Sequence, residues 1–288
     1  MKQIVIISGK GGTGKTVITA SFAALAKSKV MADCDVDAAD LHLLLNPKIL
    51  EKHEFKGGKT AVINKAKCNH CGTCIAQCRF NAISEKDFTV DPISCEGCGV
   101  CFHLCPEMAI KMEENLSGEW FISETRHGPF VHAKLGIAEE NSGKLVTIVR
   151  QNARLIAKKE KKDFIIIDGP PGIGCPVIAS LTGTDCILVI TEPTLSGIYD
   201  MKRVVELADH FKIKTFVGIN KYDLNLETTE KIEAFCNQNG VKLIGKIAYD
   251  SKVVEALVNR KSVIEYCQGE VTIQINKIWE TLCNDMAS

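Results

Sequence analysis

Apolar residues in this chain fall into short unbroken runs, separated by stretches with helical spacing. The runs at 3–8 (QIVIIS), 30–35, 164–168, 186–191, 215–220 and 241–247 each have the length expected of a strand. Their near-continuous Val/Ile/Leu content suits strands covered on both faces. Between them, residues 14–27 form an Ala-rich helical stretch. Two further segments carry apolar stripes, Leu145, Ile148, Val149, Leu155 and Ile156 in one, and Ile198, Met201, Val204, Val205 and Ala208 in the other. Asn239-Gly240 supplies a helix stop before the last run. This alternation predicts an α/β fold, a doubly wound and mostly parallel sheet.

One region breaks the rhythm. From about 59 to 115 no long helical pattern occurs, but the segment repeats itself. A shift of 27 residues lays Cys68, Cys71, Cys74 and Cys78 on Cys95, Cys98, Cys101 and Cys105, and carries Gly72, Ala82 and Ile83 to Gly99, Ala109 and Ile110. A repeat inside a non-repeating chain marks an inserted domain. The expected division is residues 1–58, the first part of the main domain; 59–115, the insert; and 116–288, the remainder. Gly57-Gly58 and residues 115–118 stand as linkers, and 119–135 as extra strands returning to the main domain.

Composition narrows the classes. The 288 residues carry 35 basic and 35 acidic side chains and are 45% hydrophobic. Zero net charge argues against a protein built to hold nucleic acid or an anionic membrane. No apolar stretch approaches the roughly 20 residues that cross a bilayer, and four apolar residues near the start are too few for a signal-peptide core. A cytoplasmic protein is expected. Its 14 cysteines, eight of them between Cys68 and Cys105, then read as metal ligands rather than disulfides.

Residues 8–16 (SGKGGTGKT) sit between a predicted strand and a predicted helix, and satisfy G-x-x-x-x-G-K-[ST]. Gly9, Gly11, Gly12, Thr13 and Gly14 let backbone N–H groups curl around phosphate oxygens at a helix N-terminus. Lys15 is placed to neutralise the β- and γ-phosphates, and the Thr16 hydroxyl to bind Mg²⁺.

The run KGGTGKT resembles the deviant Walker A motif of the MinD/Mrp/nitrogenase-iron-protein ATPases. The resemblance implies ATP and Mg²⁺ as ligands and a nucleotide-dependent homodimer in which Lys10 reaches the partner subunit's nucleotide. It further implies Asp35 as the residue that orients the attacking water, so that Asp35, Lys10 and Lys15 carry catalysis. Asp168, closing the run FIIID, matches the Walker B position near Mg²⁺; Gly172 matches a switch glycine whose N–H lies near the γ-phosphate; Asn220 matches the adenine-reading asparagine. Asp37 and Asp40 are weaker metal or switch candidates that read equally well as capping or solvated acids. The family's proline before a later Asp is absent from 247–250 (IAYD), which leaves Asp250 outside the pattern.

The insert resembles a bacterial two-cluster [4Fe–4S] ferredoxin. Carried over position by position, one cluster takes Cys68, Cys71, Cys74 and Cys105, the other Cys78, Cys95, Cys98 and Cys101, each triplet borrowing its fourth thiolate from the other run. Pro106 follows Cys105 as that pattern asks, but Arg79 follows Cys78. Zinc, which also takes four thiolates, is the rival occupant. His70 and His103 are bystanders if eight thiolates complete two cubes. Cys34, Cys186, Cys236, Cys267 and Cys283 read as small apolar residues. Cys175, seven residues past Asp168, is a candidate labile metal or redox site.

Three functions emerge. The first is an ATPase whose dimer switch is coupled to electron transfer by two [4Fe–4S] clusters, serving an unidentified redox or metallocentre-maturation partner. The second is an iron–sulfur carrier of the Mrp type. The third, least favoured, is a MinD-like positioning ATPase, because the C-terminal helix lacks the strongly basic face of a membrane-surface helix.

Overall fold

The computed structural model describes residues 1–136 and 142–287. Nine strands form one sheet: β1 (Lys2–Ser8), β2 (Lys29–Asp33), β3 (Lys48–Ile63), β4 (Ile110–Thr125), β5 (Gly128–Leu135), β6 (Phe164–Pro171), β7 (Cys186–Thr191), β8 (Lys214–Asn220) and β9 (Lys242–Ile247). Their order is β3-β4-β5-β2-β6-β1-β7-β8-β9. From β5 to β9 every neighbouring pair is parallel. Two residues join β4 to β5, a link short enough only for an antiparallel hairpin.

The chain divides into two units. The first comprises Met1–Lys52, Trp120–Lys134 and the chain from Ser142 onward. Its central strands bury both faces, as their continuous apolar composition requires. On one face the helix Lys15–Leu25 and the C-terminal helix Glu270–Ala287 share a core of Phe22, Ile275, Ile278 and Leu282, with the Phe22 and Trp279 rings 5.0 Å apart. The apolar stripe of the C-terminal helix is therefore spent on the protein's own interior.

In the helix Ser142–Lys159 the buried positions are Leu145, Val146, Val149, Ala153 and Ala157, and Leu155 is 63% exposed. The expected stripe was drawn through bulky residues; the buried one continues at i+4 through two alanines, whose small side chains let the helix lie close to its neighbours. The second stripe follows the expected face, with Met201, Val204, Val205 and Ala208 buried in the helix Leu195–His210.

The second unit holds His53–Glu119 together with Leu135 and Gly136. Gly57-Gly58 and residues 115–118 are not linkers: they lie within β3 and β4. A glycine pair inside a strand and a glycine pair in a connector have the same composition, and only pairing separates them.

The 27-residue repeat reaches down to the backbone. Asn64 and Asp91 each open an Asx turn, accepting the N–H of Ala66 at 3.0 Å and of Ile93 at 3.1 Å. The same two residues donate their N–H groups to the carbonyls of Ala109 and Ala82, 2.7 Å in both cases. Left-handed backbone recurs at His70 and Gly97, Gly72 and Gly99, and Asn81 and Met108. Gly72 and Gly99 precede the short helices Thr73–Ala76 and Val100–Leu104. The unit's small core gathers Ala61, Cys74, Ile83 and Ile110, with Cys78, Cys95, Cys101 and Cys105 among the residues packed around it.

Candidate nucleotide site and two cysteine-lined cavities

Parallel register brings the first site together. Asp168 of β6 is level with Asp33 of β2 and with Ile6 of β1, so the loop after β1 opens at the carboxyl ends of three adjacent strands. Gly14, at φ 88°, turns the loop into the helix Lys15–Leu25; any Cβ there would strike the Asn220 amide. Gly9 has no room either, lying against Asp200, and Asn220 braces the loop by donating Nδ2 to the Thr13 carbonyl at 2.8 Å.

Lys15 is buried among acids. Its Nζ lies 2.9 Å from Asp35 Oδ2 and 3.6 Å from Asp168 Oδ1, and donates also to the Gly169 carbonyl. Burial works against its charge, but Asp168 and Asp35 outweigh burial and hold its pKa above the ordinary value. Thr16 donates to Asp168 Oδ2 at 2.8 Å, and Thr19 to Asp168 Oδ1 at 2.9 Å. Asp33 accepts the N–H of Asp35 at 3.1 Å and of Leu41 at 3.3 Å. Three buried carboxylates thus face one lysine. Burial, with the mutual repulsion of the acids, raises the pKa of Asp33 well above normal; burial raises that of Asp168 as well.

This donor set suits MgATP. Among the described residues the buried Thr13 hydroxyl finds no hydrogen-bond partner, an orphan that a phosphate oxygen would satisfy. Thr16 and Asp168, hydroxyl beside carboxylate, are hard oxygen donors for Mg²⁺, and a dication would offset the surplus negative charge. Gly11 and Gly12 have open space where a Cβ would be, so backbone can approach a ligand closely.

Other expected residues stand elsewhere. Lys10 is engaged within its own chain: Nζ is 2.7 Å from Glu192 Oε1, 2.9 Å from Ser196 Oγ and 3.2 Å from Thr194 Oγ1. Glu192, which also pairs with Lys221 at 3.3 Å, is held below its ordinary pKa because the two lysines outweigh burial. The Gly172 N–H, expected to face a phosphate, donates to the Ser8 carbonyl at 3.0 Å. Asp37 and Asp40 are exposed, and the Asp40 side chain caps no helix N–H. Asp250 accepts the Lys252 N–H at 2.9 Å. Sequence reasoning passed over Thr19 and Glu192. The first lies one turn from Thr16 on the same helix face, a signal available at spacing i+3; the second belongs to no local motif.

The cysteines gather around two cavities in the second unit. One is lined by Cys68, Cys71, Cys74 and Cys105 with Ile63, Phe88 and Ile110. The other is lined by Cys78, Cys95, Cys98 and Cys101 with Ala61, Ile83 and Val90. Each wall takes three thiols from one run and the fourth from the other. Among the described residues, no three His, Cys, Asp or Glu side chains converge as ligands of one metal ion. Four thiols around each cavity are soft donors of the kind that hold either a zinc ion or an iron–sulfur cluster. Cys175 is exposed at the start of the helix Cys175–Leu181, while Cys34, Cys186 and Cys236 are buried.

The sheet order and phosphate loop define a P-loop nucleotide-binding protein of the doubly wound type. Residues 4–263 match the CobQ/CobB/MinD/ParA nucleotide binding domain, and the chain belongs to that family, whose MinD and ParA members include ATPases. It is 34% identical over 287 residues to an uncharacterized protein of Methanocaldococcus jannaschii, covering 97% of this chain and 96% of the relative. The septum site-determining protein MinD of Synechocystis is 24% identical, covering 87% and 77%. Among solved structures, the cell division ATPase MinD of Pyrococcus furiosus superposes with a TM-score of 0.60 at 17% identity, over 98% of each chain. MinD of Pyrococcus horikoshii, solved with Mg-ADP, gives 0.59 at 16% identity, over 98% and 95%.

Proposed function

We propose that the protein is a MgATP-hydrolysing homodimeric switch that carries two [4Fe–4S] clusters in its inserted, ferredoxin-like unit and couples the one to the other. The observation that carries this reading is the presence, in one chain, of a phosphate-loop site and of two cavities with four thiols each. Thr13, Lys15 and the loop N–H groups hold the triphosphate, and Thr16 and Asp168 hold Mg²⁺. Asp35 now accepts from Lys15; once Lys15 turns to phosphate, the carboxylate is free to orient a water in line with the γ-phosphorus. Lys10, released from Glu192, supplies positive charge to the partner subunit's nucleotide. Bound clusters would supply one-electron storage; the chain's part is to ligate them with Cys68, Cys71, Cys74 and Cys105, and with Cys78, Cys95, Cys98 and Cys101. Gly172 and its hydrogen bond to Ser8 tie the segment after Asp168 to the phosphate loop, which makes that segment the bistable element.

The test is nucleotide hydrolysis together with EPR of the anaerobically reconstituted, dithionite-reduced protein, with and without MgATP. A spectrum or midpoint potential that moves with MgATP supports coupling. An unchanged one assigns ATP to the control of partners or cargo, the carrier reading, for which the exposed Cys175 is the candidate transfer ligand. If Cys175→Ser leaves iron content and turnover unchanged, that role for Cys175 falls.

A MinD-like positioning role has support from the relatives and from the fold. Against it stand the eight thiols, which it leaves without a purpose, and the C-terminal helix, whose apolar side is buried. ATP-dependent co-sedimentation with anionic liposomes would establish the positioning role.

A further inference from the structure

The repeat makes the two cavities comparable atom by atom, and the comparison exposes an asymmetry. At Cys71, the Thr73 hydroxyl lies 3.3 Å from Sγ; at Cys105, the Ala109 N–H donates to Sγ at 3.3 Å. The position equivalent to Thr73, 27 residues on, is Val100, which has no proton to give. Backbone N–H groups of Ile75 and Phe102 face Cys74 and Cys101 at matching positions, so their effects cancel between the two sets. Charges nearly balance as well, since Glu107 stands on the wall of the first cavity and Glu96 on that of the second. Arg79, exposed beside Cys78, favours the reduced state of the second site, an effect that its exposure to solvent weakens.

We infer that Thr73 and Val100 set a redox order between the two sites: the cluster of Cys68, Cys71, Cys74 and Cys105 has the higher potential, and that of Cys78, Cys95, Cys98 and Cys101 is the stronger reductant. The inference rests on the iron–sulfur reading above. A ligating thiolate carries no proton, so the Thr73 hydroxyl must be the donor. A hydrogen bond to sulfur withdraws electron density and stabilises the reduced cluster, which carries one more negative charge. With both clusters bound, an electron held on the second site would pass to the first, the second losing one electron and the first gaining it.

The experiment is an anaerobic redox titration, followed by EPR, of the reconstituted full chain beside its Thr73→Val, Thr73→Ser and Val100→Thr variants, with iron and sulfide measured on each. The parent is expected to show two separate midpoints. Thr73→Val lowers only the higher one, Thr73→Ser restores it, and Val100→Thr raises only the lower one, each narrowing or rebuilding the gap as the hydroxyl is removed or added. Two clusters bound but with equal midpoints, or with a Thr73→Val variant that moves the lower midpoint or neither, overturn the order while leaving the cluster reading intact. A parent that takes up no iron and sulfide overturns both.

Discussion

Replacing Lys15 with methionine tests whether the phosphate loop is held shut by charge. The ammonium lies 2.9 Å from Asp35 and 3.6 Å from Asp168, and neither partner's side chain is more than 12% exposed. Removing one partner of a buried ion pair costs about 3–5 kcal/mol, because the remaining charge is left uncompensated. Here three carboxylates, Asp33, Asp35 and Asp168, would be left without a cation. Protonation limits the damage. In the variant Asp33 and Asp168 keep folded-state pKa values raised above the unfolded value near 3.8, so the folded state binds more protons and stability falls as pH rises through those values. The deficit relative to the parent is expected to be about 3–5 kcal/mol at pH 8 and to shrink as the pH falls toward 5.5. Urea unfolding of both proteins without nucleotide at the two pH values measures it, and the difference between proteins removes titrations common to both. A deficit below about 1 kcal/mol at pH 8, with no pH trend, would mean that Lys15 is not buried among these acids.

Asp35→Asn removes one of three like charges, and is expected to leave stability unchanged or raise it while lowering ATP turnover by about 10²–10⁴-fold; thermal melts beside a phosphate-release assay decide. His132 is buried against Phe130 and beside His42, and burial, then the His42 charge, lowers its pKa to about 4. The unfolded chain therefore binds the extra proton between about pH 6.5 and 4, so stability present at neutral pH is lost as the pH falls through that window. His132→Gln should remove about 2 kcal/mol of the parent's loss at pH 5, read from unfolding curves at pH 7 and 5. Arg126 joins Glu265, at 2.6 and 2.9 Å, to the carbonyls of Leu44 and Leu45, and holds the Glu265 pKa at about 2 against the effect of burial. Arg126→Ala should cost about 1–2 kcal/mol at neutral pH, with the difference from the parent closing as the pH falls from about 4.5 toward 2; chemical unfolding at stepped pH tests this.

Much of the architecture was written locally. Each buried parallel strand is an apolar run, and the phosphate loop and its helix follow from spacing, whereas Asp168 came from the family resemblance. The cysteine repeat was legible as far as its third dimension, because two runs shifted by 27 residues must fold alike if their turns are alike, as His70 with Gly97 and Asn81 with Met108 show. What sequence did not disclose depends on pairing between distant segments. Residues 57–58 and 115–118 resemble linkers until β3 and β4 are seen to run through them. Glu192 is 182 positions from Lys10, and only the adjacency of β1 and β7 brings it to the phosphate loop. Leu155 was misjudged because bulk was weighted over position, whereas close helix packing there uses Ala153 and Ala157.

The central claim is that one chain joins a phosphate-loop switch to two cubane clusters. The most direct measurement is iron and acid-labile sulfide per chain after anaerobic reconstitution, repeated on Cys71→Ser and Cys98→Ser variants. The account predicts about eight of each in the parent, in two EPR-active centres after reduction, with each variant perturbing one centre and sparing the other. A parent that binds zinc in place of iron, or two variants that damage the same centre, would contradict it.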